Sequence, residues 1–274
     1  MISLLLILLP LLTGLAAFFI KDEKLARTWA VLASFATLTI AILSLCCMND
    51  TKSLNYHCEW LPSLGASFSL KMDGVAQLLC LLNTIAYPLV FIAGWDKTYK
   101  NAKNFFALML LAQAGIMGVF LAADALLFYF FWELALIPMY FLCSQWGGEK
   151  RGAVTFKFFI YTFIGSLLML ISILYLYGQT PDHSFSIESF YNLKLTSKQQ
   201  SIPFWLMFVA FAVKMPIFPV HTWQPDTYEQ APTSTTMILS GVMVKMGVFG
   251  LIRWLFPIFS TASFVWGDVI TLIT

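Results

Sequence analysis

The sequence predicts an all-α polytopic membrane protein: eight transmembrane helices plus the start of a ninth, with the seventh broken. Three observations carry that reading. The 274 residues are 59% hydrophobic and only 11% charged, with mean hydropathy +0.80, whereas a soluble domain carries about 25% charged residues. Apolar runs close to the ~20 residues that cross a bilayer core recur along the whole chain. One of them, in 211–232, reads FAVKMPIFPVHTWQPDTYEQAP and places a lysine and two prolines at membrane depth.

The runs lie at 2–20, 28–47, 75–95, 104–122, 125–143, 153–177, 204–220 and 232–254. The first has no basic residue before it and meets Lys21, Asp22, Glu23 and Lys24 after it, so it reads as a span rather than a cleaved signal peptide. The tail VITLIT (269–274) is apolar and ends without flanking charge or cap. It reads as the start of a ninth span, and the chain as a piece of a longer one. Two longer linkers, 48–74 and 178–203, hold no recognisable soluble module.

Orientation follows from where the basic residues fall. With the N-terminus outside, the short inner loops hold Lys21, Lys24, Arg27, Lys97, Lys100, Lys103, Lys150 and Arg151; the outer segments hold Lys52, Lys71, Lys194, Lys198 and Arg253. The bias places the N-terminus outside. Trp29, Trp95, Trp146, Trp205 and Trp254 stand near span ends, where indoles anchor. A net charge of +2 without a long basic run points away from nucleic acid. The five cysteines (46, 47, 58, 80 and 143) form no CxxC or Cys/His metal pattern, which points away from a disulfide framework or an iron–sulfur site.

Most spans carry no ionisable group, so the exceptions stand out. Glu133 lies in FYFFWELALIPMYFLC, Lys214 in WLMFVAFAVKMPIFP and Lys245 in MILSGVMVKMGVFGLIRW. Each costs about 2.5–3.5 kcal/mol to insert and persists where it is paired or hydrated. Two readings stand: buried pairs that fix helix register, or a proton or ion path. Three such groups on three spans favour the path. Lys157 admits two readings as well, snorkelling to the interface or joining the polar file. Asp124, between two apolar runs in AAD, reads as a helix cap rather than an ion-pair partner.

The prolines sharpen the case for Lys214. Pro216 and Pro219 have no N–H, so the carbonyls of Ala212 and Met215 lose their helical partners. Met215 and Phe218, each before a proline, are pushed from helical angles. The helix should break beside Lys214, and broken helices at membrane depth occur inside protein or beside a water-filled cavity. His221 follows the break; it reads either as a proton carrier near neutrality or as an interfacial side chain beside Trp223. Asp226, Glu229 and Pro232 precede the next span and suit its helix N-terminus.

The segments FWELALIPMYFL (131–142), FAVKMPIFPVHTWQPDTYEQAPT (211–233) and GVMVKMG (241–247) resemble the antiporter-like, proton-pumping membrane subunits of NADH:quinone oxidoreductase, respiratory complex I. Within that family KMP, VHTW and VKMG most resemble the subunit M (chain 4) branch, and order and spacing match from about residue 70 onward. The resemblance implies a fourteen-helix fold with two inverted five-helix repeats, of which this chain holds the first: helices 1–3 over 1–103, the repeat (helices 4–8) over 104–254, and a loop with a truncated ninth helix over 255–274. It implies that Glu133, Lys214 and Lys245 translocate protons, with His221 as a further member of the motif. An isolated chain of this length would then not pump.

The resemblance further implies a translocase subunit (EC 7.1.1 type) in a bacterial inner membrane, beside other membrane subunits that include neighbouring antiporter-like ones. NADH, FMN, iron–sulfur clusters and quinone would belong to partner subunits, with no cofactor in this chain. The rival readings are a subunit of a multi-subunit cation/proton antiporter, a hydrogenase-linked complex, and a purely structural membrane scaffold.

Overall fold

Long apolar runs become helices because a backbone without water must satisfy its own hydrogen bonds. The computed structural model describes residues 1–46 and 51–273. Its helices are α1 (Ile2–Ala17), α2 (Glu23–Cys46), α3 (Thr51–Leu54), α4 (Gly74–Ala93), α5 (Ala102–Leu121), α6 (Ala125–Trp146), α7 (Arg151–Gln179), α8 (Ile187–Tyr191), α9 (Ser197–Lys214) and α10 (Trp223–Gln230). Two more follow, α11 (Thr233–Ile258) and α12 (Ser260–Ile273). Six of them, α2, α4, α5, α6, α7 and α11, are long and apolar enough to cross a membrane, and α1 is apolar but shorter.

α5 is buried along nearly its whole length, between α1, α2, α4 and α6. Glycines let α6 come close to it. A Cβ on Gly115 would stand 2.7 Å from the Ala135 backbone nitrogen, and one on Gly118 would stand 2.1 Å from the Phe131 ring.

The basic loops gather at one end of the bundle. There Arg27 donates to the carbonyls of Trp95 and Lys97, Trp146 Nε1 to Lys100 O (2.7 Å), and the Gly148 amide to Gln230 O (2.7 Å).

The opposite end corrects the all-α expectation. Within 48–74, expected to hold no module, β1 (Tyr56–Leu61) and β2 (Ala66–Leu70) pair antiparallel, Tyr56 with Leu70 and Glu59 with Ser67. Strands this short carry no long apolar run, so a search for spans passes over them. Gly65 turns the chain at φ 67°, and a Cβ there would meet His183 O at 1.9 Å. The hairpin is stitched to the helix ends by Lys71 N to Leu121 O (2.8 Å) and Ala123 N to Ser69 O (2.9 Å).

The stretch after Leu255, expected to open as a loop, is instead helical through Ile258 and again over Ser260–Ile273, with a break at Phe259. Cys46 and Cys58 are exposed thiols, and Cys80 and Cys143 are buried ones. Cys47 and Thr274 lie outside the described residues.

Gly115→Val should force α5 and α6 apart and cost about 1–3 kcal/mol through overpacking. Thermal denaturation of the detergent-solubilised protein measures it, and an unchanged Tm would contradict the close approach.

Candidate functional site

α6 begins at Asp124, whose carboxylate accepts from the amides of Leu126 (3.0 Å) and Leu127 (3.1 Å) and from Ser67 N (2.9 Å). Asp124 is therefore the cap expected of it. From that fixed start α6 carries Trp132 and Glu133 to the middle of the bundle, facing α7 and α9.

α9 starts on a capping box, Thr196 with Gln199, and runs inward to Lys214. There it stops. Lys214 is 3% exposed. Its Nζ makes no hydrogen bond and lies 5.5 Å from the centre of the Trp132 ring. A cation over an indole face gains about 0.5–2 kcal/mol, less than the hydration it gives up.

Glu133 is half-buried, with Ser166 beside its carboxylate and Lys214 within electrostatic reach. The two charges make no direct ion pair. Among the described residues, ion pairs join Arg27 to Glu23, Lys71 to Glu188, Lys157 to Asp226 and Arg253 to Asp73.

The break itself differs from expectation in one respect. Pro216 does take the usual partner from Ala212 O, but the Ile217 amide replaces it at 2.9 Å. The next carbonyl, Val213 O, accepts from Trp223 Nε1 at 3.0 Å. So two carbonyls beside Lys214 are satisfied, one by the re-bonded turn and one by the buried indole of the HTW segment. That capping role was invisible in the sequence, because it joins residues across the break.

α7 holds the far side of the break. Lys157 Nζ bonds Asp226 Oδ2 and Thr222 O, both at 2.8 Å, and the Tyr161 hydroxyl meets the Thr222 hydroxyl at 2.8 Å. Lys157 therefore pairs with the short helix α10 rather than only snorkelling. Asp226 and Glu229, expected at the start of the following span, lie instead in the separate short helix α10, the first in its opening turn and the second in its last; Pro232 does stand at the start of α11, as its N-cap.

Lys245 sits in α11, just after a π-helical turn at Leu239–Met243. Its Nζ donates to Ser240 O at 2.8 Å. Gly247 and Gly250 seat α11 closely on the end of α9: a Cβ on either would fall 2.9 Å from Phe211 O or 2.4 Å from the Phe211 ring. His221 stacks near Phe218 (5.8 Å), and its Nδ1 has no partner. The structure thus brings Glu133 and Lys214 together, sets Lys245 on the helix packed against α9, and turns His221 into the loop of the break. Trp132 and Ser166 escaped the sequence reading, and Trp223 entered it only as a neighbour of His221; the adjacency of Trp132 and Glu133 in FFWELA alone hinted at the first.

The arrangement has counterparts among known proteins. The family of NADH:quinone oxidoreductase/Mrp antiporter transmembrane proteins matches residues 122–274. The chain is 35% identical over 263 residues to the F(420)H(2) dehydrogenase subunit M of Methanosarcina mazei, covering 92% of this chain and 53% of that protein. It is 40% identical over 213 residues to the NADH-quinone oxidoreductase subunit M of Escherichia coli K12, covering 74% and 42%. The chain thus spans about half the length of the curated relatives it matches. A chain in the structure of respiratory complex I from Thermus thermophilus with bound NADH superposes with TM-score 0.86 at 26% identity, over all of this chain and 56% of that one. The archaeal membrane-bound sulfane sulfur reductase shares the fold, with TM-score 0.83 at 22% identity.

Trp223→Phe keeps the ring and removes its N–H, leaving the buried Val213 carbonyl without a donor at a cost of about 1–3 kcal/mol. A lowered Tm of the detergent-solubilised protein is the expected outcome, and a Tm equal to that of the unsubstituted protein would contradict the capping.

Proposed function

This chain belongs to the NADH:quinone oxidoreductase/Mrp antiporter transmembrane family, and on that premise we propose that it is the N-terminal part of a subunit M-type, proton-translocating membrane subunit of NADH:quinone oxidoreductase. One observation carries the reading most. Lys214 is a buried cation with no hydrogen bond, at a helix break, within electrostatic reach of Glu133 but out of ion-pair contact. A purely structural pair would be closed and satisfied.

In this reading the proton on Lys214 is poised. The apolar surroundings disfavour it, and the Glu133 carboxylate favours it. A small change in their separation shifts the balance, so the lysine loads and unloads. Lys245, on the helix seated against α9, receives the proton across the membrane midplane. Its bond to Ser240 O, beside a π-helical turn, gives it a resting partner that it can leave. His221 makes no contact with the three charges and is the least supported of the four.

The architecture follows the same premise. The broken α9–α10 segment counts as the seventh of eight spans, and α12 belongs to a ninth. Residues 1–103 hold helices 1–3, 104–254 the first inverted repeat, and 255–274 the start of the ninth span. The N-terminus and hairpin lie outside, and the basic loops lie inside a bacterial inner membrane. Oxidation of NADH and reduction of quinone, with their flavin and iron–sulfur groups, take place in partner subunits of a translocase, and this chain packs against further membrane subunits.

The family description also names Mrp antiporters, so a cation/proton antiporter subunit is the second reading. Copurification with a flavin-containing, NADH-oxidising assembly separates the two.

Lys214→Ala or Glu133→Gln, made in the complete complex, is expected to abolish most coupled proton pumping. An unchanged proton-to-electron ratio in reconstituted vesicles would overturn the proposal.

A further inference from the structure

At the hairpin end a cavity of about 160 Å³ opens between Lys71, Asp73, Tyr191, Phe249, Ile252 and Arg253. That is room for several waters at about 30 Å³ each. Lys71, Asp73 and Arg253 line it, and Glu188 stands beside Lys71. Arg253 bonds Asp73, and Lys71 bonds Glu188 at 3.1 Å. The bond from Lys71 holds the Glu188 carboxyl below its usual range.

The four charges are unequally solvated. The Arg253 side chain is 7% exposed and Asp73 is 45% exposed; Lys71 and Glu188 are 44% and 64% exposed. Water screens the exposed charges, and a buried one is screened far less. Asp73 offsets the Arg253 charge on the side it faces, and the remainder of the buried guanidinium, its Nε edge included, is the part of the cluster that water screens least. The position of Arg253 is held firmly. Its backbone oxygen accepts from the Tyr191 hydroxyl at 2.6 Å, and its guanidinium lies 5.6 Å from the centre of the Phe249 ring. The Nε has no partner.

Lys245, Phe249 and Arg253 follow one another along α11 at four-residue spacing, which puts them on one side of the helix. Phe249 is 1% exposed and packs edge-on against Phe120 at 5.5 Å. Along that side of α11, the packed Phe249 ring and then the buried Arg253 cation stand between Lys245 and the hairpin end. Fixed positive charge in a narrow passage repels protons and other cations.

We propose that Arg253 is an electrostatic seal, which closes the hairpin-end route to Lys245 against protons. The inference rests on the proton-translocation reading above. It assigns the cation, rather than its ion pair with Asp73, the sealing role.

The test is passive proton leak, measured with a pH-sensitive dye in vesicles holding the complete complex, under an imposed pH gradient and without electron donor. Arg253→Gln should collapse the gradient several-fold faster. Arg253→Lys keeps a charge and should stay tight. Asp73→Asn leaves the cation in place and should stay tight as well. If Arg253→Gln alone fails to assemble, the double substitution R253Q with D73N leaves no unpaired carboxylate and should show the same leak. An assembled R253Q complex, or R253Q/D73N complex, that is as tight as the unsubstituted one would overturn the seal. So would D73N leaking as fast as R253Q, which would make the pair a mechanical latch. Because no turnover occurs, this outcome is independent of whether Lys214→Ala abolishes pumping.

Discussion

A single ammonium group inside an apolar bundle is the constraint on which the rest of the structure depends. Lys214 is 3% exposed and its Nζ has no hydrogen bond. Nearby it has the face of Trp132 at 5.5 Å and the field of Glu133. Neither is a full substitute for water, and a charge left in that condition is costly. A fold that served only stability would replace the lysine with an apolar residue or close the pair. This fold does neither, and the surrounding elements hold the unresolved charge in place.

Each neighbouring element contributes by a separate means. Asp124 fixes where α6 begins and hence the depth of Glu133. The prolines end α9 at the lysine, while Ile217 N and Trp223 Nε1 take up the carbonyls of Ala212 and Val213. The break thus leaves those two groups satisfied and concentrates the unmet polar demand on the side chain. α7 grips the other side of the break through Lys157 and Tyr161 and places Ser166 beside Glu133. α11 can approach α9 because Gly247 and Gly250 leave room for Phe211. That approach brings the helix of Lys245 alongside.

Much of this was legible in the sequence, for local reasons. Apolar run length marks helices, so the six span-length helices were placed to within about five residues, whereas the run 204–220 is shifted against the observed helix Ser197–Lys214. Proline chemistry is local too, and KMPIFP located the break at Lys214. A charge in an apolar run needs no structure to be noticed, which is why Glu133, Lys214 and Lys245 stood out. The missed features are nonlocal. Trp223 reaches back across the break to Val213. Ser166 meets Glu133 from another helix, and Asp73 finds Arg253 from the far end of the chain. The hairpin was hidden because its strands are short and flank a four-residue connection, Pro62–Gly65. His221 was singled out by its residue type, its place after the break and the motif that carries the resemblance, and its ring lies beside that of Phe218.

The central claim is that Glu133 and Lys214 form one device. The most direct measurement is the proton-to-electron ratio of the reconstituted complex carrying Glu133→Gln and Lys214→Ala together, compared with each substitution alone. The account predicts that the double variant falls no further than the more damaging single one, because removing either partner already removes the device. Losses that add independently, with each single variant keeping a separate share of the pumping, would contradict it.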